Sequence, residues 1–175
     1  KTDKAANPKL NQPLVNTPQT IQVINQDVIR EQGGATLMDA LRNTPGITMQ
    51  LGEGGNTSAG DTFMLRAFST QTATFIDGIR DLGAITRDTF NLEQVEVVKG
   101  PAGTDIGRGA ASGYINLITK LPTRTDQYGV TTTINTANNK RVTADLNKQL
   151  SETSAARLNL MGQTGGVEGR NVVEN

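Results

Sequence analysis

Leu92-Glu93-Gln94-Val95-Glu96-Val97-Val98-Lys99-Gly100-Pro101-Ala102, continued by Gly107-Arg108-Gly109-Ala110-Ala111-Ser112-Gly113-Tyr114-Ile115-Asn116-Leu117-Ile118-Thr119-Lys120, is the stretch on which the fold turns. Its β-branched valines make residues 95–99 a strand, stopped by Gly100-Pro101. Residues 91–94 before it read as a helical turn, and residues 114–120 as a second strand. The glycine-rich run between the strands suggests a phosphate-binding loop, but it contains no Gly-Lys-Ser/Thr. Gly107, Gly109 and Gly113 also miss the dinucleotide spacing by one residue. A strand follows where both motifs need a helix. These glycines instead point to close approach of backbone to backbone.

Toward the C-terminus, residues 128–136, 141–150 and 156–164 alternate with period two. Even positions include Tyr128, Val130, Ile134, Val142, Ala144, Leu146, Leu158 and Leu160; odd positions include Thr131, Asn135, Asp145, Asn147, Arg157 and Asn159. Short Asn/Ser/Thr turns join the segments, which predicts an antiparallel meander. Each segment is close to the roughly 9–11 residues that a tilted strand needs to cross a bilayer. A soluble sheet with one face on a core shows the same alternation, and pattern alone leaves both readings open. Nothing else in the chain reads as a cover for the apolar face, and three strands do not close a barrel.

Toward the N-terminus, residues 1–18 read as an extended polar segment, because Pro8, Pro13 and Pro18 each disfavour helix at the residue before. Residues 20–24 alternate as a short strand. Asn25 caps a helix running to Gln32, with Asp27 in its first turn and Gly33-Gly34 as its stop. Thr36 and Asp39 stand at capping-box spacing around a second helix, whose apolar face is Leu37, Met38 and Leu41. Residues 47–50 and 62–68 are strands on either side of a glycine-rich loop. Asp77-Gly78, between Thr74-Phe75-Ile76 and Ile79-Arg80, marks a hairpin, and residues 80–88 a polar loop.

Composition removes several kinds of chemistry. The chain holds no Cys and no His, which excludes a thiol nucleophile, a Ser-His-Asp triad, a Cys/His zinc site and disulfides. Seventeen basic and seventeen acidic residues cancel, and aromatics make up 3%, so neither a basic footprint nor a stacking platform for nucleic acid is expected. Apolar runs of three or four residues predict no transmembrane helix or signal-peptide core within it. Asp77, Asp81 and Asp88 match no calcium-loop spacing, and the chain reads as non-enzymatic. Arg66 falls inside an apolar strand, where a cation needs a carboxylate partner. Arg80, Arg87 and Arg108 lie in or beside loops. Singly they read as solvated surface; as a set they can draw in an anionic ligand through charge-assisted hydrogen bonds.

The stretch from Leu92 to Lys120 resembles the end of the plug domain of TonB-dependent outer-membrane receptors. Pro18-Gln19-Thr20-Ile21-Gln22-Val23-Ile24, Leu41-Arg42-Asn43-Thr44-Pro45-Gly46-Ile47 and Phe75-Ile76-Asp77-Gly78 resemble the same family in the same order. The likeness covers residues 18–123, with the three alternating strands after it. Residues 81–83, 87–88 and 100–105 look most like receptors for ferric catecholate siderophores. The implied fold is an α/β (α+β) plug domain followed by antiparallel strands of a transmembrane β-barrel, part of a plugged barrel of about 22 strands. The implied divisions are an extended N-terminal segment at 1–18, the plug at 19–123, and at 126–175 the first three barrel strands and the start of an extracellular loop.

The resemblance implies uptake of a ferric siderophore, catecholate in type, across the outer membrane of a Gram-negative bacterium. The N-terminus would be periplasmic, and the TonB–ExbB–ExbD energy-coupling complex would drive transport. Even strand faces would meet outer-membrane lipid and odd faces the lumen. Iron would arrive chelated, so no cofactor or metal site of the protein's own is implied. By position, the apical loops are 53–61 and 80–88. Arg80 and Arg87 would attract the ligand, Asp81 and Asn56 would make polar contacts, and Arg66 and Arg108 would latch plug to barrel. The competing class is a stand-alone periplasmic or surface β-rich binding module without transport. The chain departs from the family at Ala67, where Arg-Gly-Phe is usual, and at Ile106, where an aromatic is usual; residues 1–20 show no recognisable TonB box.

Overall fold

The computed structural model describes residues 5–6, 13–17, 19–50, 60–102, 112–134, 139–167 and 170–174. The chain divides into two compact units, Lys1–Thr119 and Lys120–Asn175.

In the first unit the N-terminal segment is not extended throughout. Pro13 starts a 3-10 turn at Leu14–Asn16, closed by the Asn16 N–H donating to the Pro13 carbonyl at 2.9 Å. Strand β1 (Thr20–Asn25) runs into α1 (Gln26–Glu31), whose first turn is capped by the Asn25 side chain accepting from the Val28 N–H. Helix α2 (Leu37–Leu41) carries the full capping box, Thr36 and Asp39 each accepting the other's main-chain N–H. Helices this short are marginal alone. Burial of Ile29, Leu37, Ala40 and Leu41 in the common core holds them in place.

Strands β2 (Ile47–Met49), β3 (Phe63–Leu65) and β4 (Phe68–Ser69) make a small antiparallel sheet in that order. Here the structure corrects the sequence reading. The strand expected over 62–68 is broken because Arg66 and Ala67 take φ of +52° and +67° and turn the chain from β3 into β4. Arg66 therefore lies exposed in a turn, outside the apolar strand that would have demanded a carboxylate beside it.

A five-stranded sheet, in the order β1-β7-β8-β5-β6, forms the body of the unit, with β5 (Thr74–Ile76), β6 (Ile79–Arg80), β7 (Leu92–Lys99) and β8 (Gly113–Thr119). Only the β5–β8 pairing is parallel. Asp77 and Gly78, at φ +49° and +80°, make the tight turn from β5 to β6. The helical turn expected at 91–94 is absent: β7 begins at Leu92, and Gln94 pairs with both neighbouring strands, so the ladder overrides local preference. Gly113 shows why glycine is needed where the chain enters β8. A Cβ there would stand 2.0 Å from the Val98 carbonyl oxygen, at φ +121°. One face of the sheet, carrying Val95, Val97, Ile115 and Leu117, packs with the helices, Phe63 and Leu65. Each such side chain contributes about 1.5–3 kcal/mol on burial.

The second unit is the sheet β11-β10-β9, from β9 (Gln127–Ile134), β10 (Lys140–Gln149) and β11 (Ala155–Thr164). Its register sets Leu146 opposite both Tyr128 and Leu158, and Ala144 opposite both Val130 and Leu160, so the apolar sides of the strands coincide. That face is uncovered: Tyr128, Val130 and Leu158 are 63%, 69% and 53% exposed. The opposite face is polar. Asp145 accepts from Arg157 through both carboxylate oxygens, at 2.8 and 2.7 Å, and from Lys120 at 3.0 Å. A short hairpin, β12 (Gly166–Val167) and β13 (Arg170–Glu174), follows where the sequence suggested a loop.

Candidate functional site

The loop that follows β6 is built around Arg87, a side chain only 7% exposed. Its Nε and Nη2 donate to Asp81 Oδ2 at 3.0 and 2.7 Å. Nη2 also reaches the Gly83 carbonyl at 2.7 Å, and Nη1 the Ile85 carbonyl at 3.1 Å. On the other side, Asp61 Oδ2 accepts from the Arg87 main-chain N–H at 2.7 Å and from Nη1 at 3.4 Å. One guanidinium thus folds its own loop and fastens it to the end of the preceding glycine-rich loop. Two further contacts complete the seam. The Asp61 N–H donates to the Ile85 carbonyl at 3.0 Å, and Gly60, at φ +80°, lies so close that a Cβ would be 2.5 Å from the Ala84 carbonyl carbon.

The two carboxylates are held in opposite states of ease. The Gly83 N–H and then Arg87 hold Asp81 below the usual carboxylate range. Burial pushes Asp61 up, against the opposing pull of Arg87. Asp61 Oδ1 is buried without a hydrogen-bond partner among the described residues.

Arg80 behaves differently. It is exposed, and its guanidinium lies 5.4 Å from the centroid of the Phe75 ring, which itself meets Tyr114 edge-on at 5.7 Å. Ile79, Leu82 and Ile85 are exposed along the same stretch. The stretch therefore offers a cation and apolar side chains to a ligand that is both anionic and aromatic.

The structure brings Arg87 and Asp81 together as an ion pair, places Arg80 outside that pair, and sets Arg66 in the exposed β3–β4 turn. Asn56 and Arg108 lie outside the described residues. Asp77, Asp81 and Asp88 do not converge. Asp77 takes the Thr119 N–H and hydroxyl at 2.9 and 2.6 Å, and Asp88 the Phe90 N–H at 2.8 Å. Sequence reasoning did not single out Asp61; its one signal was an acid closing a glycine-rich loop.

The chain thus combines a mixed α/β body, whose loops gather on a buried arginine, with antiparallel strands that carry a bare apolar face. Residues 13–114 match the family model described as TonB-dependent Receptor Plug Domain, and the chain belongs to that family. It is 44% identical over 173 residues to the catecholate siderophore receptor Fiu of Escherichia coli K12, spanning 98% of this chain and 23% of that protein. It is 47% identical over 168 residues to the probable TonB-dependent receptor BfrD of Bordetella pertussis, spanning 96% of this chain and 22% of that one. Among solved structures, the closed form of the ferric-catecholate import receptor Fiu from E. coli K12 superposes with a TM-score of 0.91 at 43% identity, covering 99% of this chain and 24% of that one. The chain thus spans about a quarter of the length of these relatives.

Proposed function

We propose that this chain is the plug and first wall strands of an outer-membrane receptor that imports a ferric siderophore, with catecholate chelates as its ligands. The observation that carries this reading is the bare apolar face of β9–β11 directly after a plug-family body. In a bilayer that face is a lipid-facing band, and the polar face around Asp145 lines the lumen. The name of the one relative Fiu, matched both in sequence and in structure, supports the choice of ligand. Residues 1–18 then form the N-terminal segment, 19–123 the plug, and 126–175 the first wall strands with the start of an extracellular loop, in a barrel of about 22 strands.

Iron is cargo here and brings its own ligands, so recognition falls to the chelate's charge and rings. Arg80 makes the first contact, supported by Asp81 and Asn56, while Arg87 keeps the loop in the shape that presents them. Arg66 and Arg108 form the plug's half of a latch to the wall. The TonB–ExbB–ExbD complex pulls on the N-terminal segment from the periplasm, and the plug rearranges; no covalent bond changes. The test is uptake of radiolabelled iron by cells of a Gram-negative host that lack their own catecholate receptors and express the full receptor. Energy-dependent uptake of ferric catecholates above ferric hydroxamates is expected. Chelate binding without energy-dependent uptake would favour a stand-alone binding module instead.

A further inference from the structure

The ligand loop leaves unused the most deeply buried acid among the plug's described residues. Glu96 sits mid-way along β7, 0% exposed, opposite Val23 of β1 and Asn116 of β8. Alternation sends Val95 and Val97 into the core and Glu96 to the other face of the sheet. A carboxylate so buried is costly unless hydrogen bonds replace its water. Among the described residues no cation pairs with it. Three neutral donors converge instead: Gln94 Nε2 on Oε1 at 2.8 Å, Asn116 Nδ2 on Oε2 at 3.3 Å, and the main-chain N–H of Ala6 on Oε1. Ala6 is 90 residues away in sequence and belongs to the N-terminal segment.

We propose that Glu96 is the seat that holds the N-terminal segment on the plug. The bond from Ala6 is charge-assisted and buried at its Glu96 end, which puts it among the stronger hydrogen bonds. Pulling Ala6 away strips a buried carboxylate of one of its three donors, so detachment of the segment is a discrete step and not gradual fraying. The same carboxylate leads toward the ligand loop. Asn116 Oδ1 accepts from the Gly78 N–H at 3.1 Å, in the turn from which β6 runs to Arg80. Glu96 therefore shares one hydrogen-bond network with the N-terminal segment and the hairpin below the loop. The seat holds whichever chelate the receptor takes.

Trypsin cleavage of the intact receptor under native conditions tests it, because the Lys4–Ala5 and Lys9–Leu10 bonds flank Ala6. Ala6→Pro removes the donor at an exposed residue and leaves Glu96 in place; Glu96→Gln removes the charge. In the unaltered receptor both bonds should be cut at least roughly tenfold more slowly than in a free peptide of residues 1–12. Each variant should raise the rate, normalised to its own peptide, by about ten- to a hundredfold, with cleavage after Lys99 unchanged. Cleavage of the unaltered receptor at the free-peptide rate, or an unchanged rate in either folded variant, overturns the seat. If Glu96→Gln also opens the Lys99 site, the sheet has failed and Ala6→Pro alone decides.

Discussion

Arg87 commits two nitrogens, Nε and Nη2, to a single oxygen of Asp81, while Nη1 and its main-chain N–H turn to Asp61. The loop after β6 thus depends on one cation held between acids 6 and 26 residues upstream. Arg87→Ala strands the buried Asp61, a change that costs about 3–5 kcal/mol of local stability. Arg87→Lys should recover little, because an ammonium lacks the fork that spans both acids. Hydrogen exchange at the Asp61 and Gly83 amides reads this out: both should exchange at least roughly a hundredfold faster in either variant. Unchanged exchange would mean that the loop has another support.

The two acids should titrate on opposite sides of their common reference value of 3.8. For Asp81, whose folded value is depressed, the stabilisation is present above the unfolded value and is lost as pH falls through the folded one. For Asp61, whose folded value is raised, the contribution has the opposite sign: it is present at low pH and lost as pH rises through the folded value. Carbon-detected titration of labelled aspartates in the receptor should place the Asp61 midpoint above that of Asp81. The reverse order would contradict the burial and bonding assigned to each.

Elements that rest on short-range chemistry were legible in the sequence. Thr36 and Asp39 cap α2 because they are three residues apart, and Asp77-Gly78 turns the chain because those two residues accept positive φ. The ion-paired loop was not legible in the same way: Arg87 and Asp81 were singled out for a ligand, and nothing local signals that Asp61 would claim the same guanidinium. The break at Arg66-Ala67 was hidden for a different reason. Neither residue is glycine, so the left-handed turn is imposed by the pairing of β3 with β4.

The methyl group in that turn has a measurable cost. A left-handed conformation costs an L-residue roughly 1–2 kcal/mol, and Ala67, at φ +67°, bears that cost. Ala67→Gly should stabilise the β3–β4 hairpin by about 1 kcal/mol after the entropy of glycine is deducted. Slower exchange at the Arg66 amide, which donates to the Gly46 carbonyl at 3.0 Å, would register the gain. Faster exchange would show that the methyl group packs usefully.

Arg80 and Arg87 should separate cleanly in ligand binding. Arg80→Ala removes an exposed cation and leaves the Arg87 bonds intact, so ferric catecholate affinity should fall by about ten- to a hundredfold with no change in loop exchange. Isothermal titration of the receptor with and without the change decides it. An unchanged affinity removes Arg80 from the site.

The proposed import through a plugged barrel requires that β9–β11 face lipid on one side. Nitroxide labels placed one at a time along Lys140–Gln149, in the receptor reconstituted into bilayers, test this by their access to molecular oxygen and to a water-soluble nickel chelate. Oxygen access should peak, and nickel access vanish, at Val142, Ala144 and Leu146, with the opposite trend at Thr143, Asp145 and Asn147. A profile without period two, or nickel reaching Val142, Ala144 and Leu146 freely, would contradict the membrane wall and the transport function built on it.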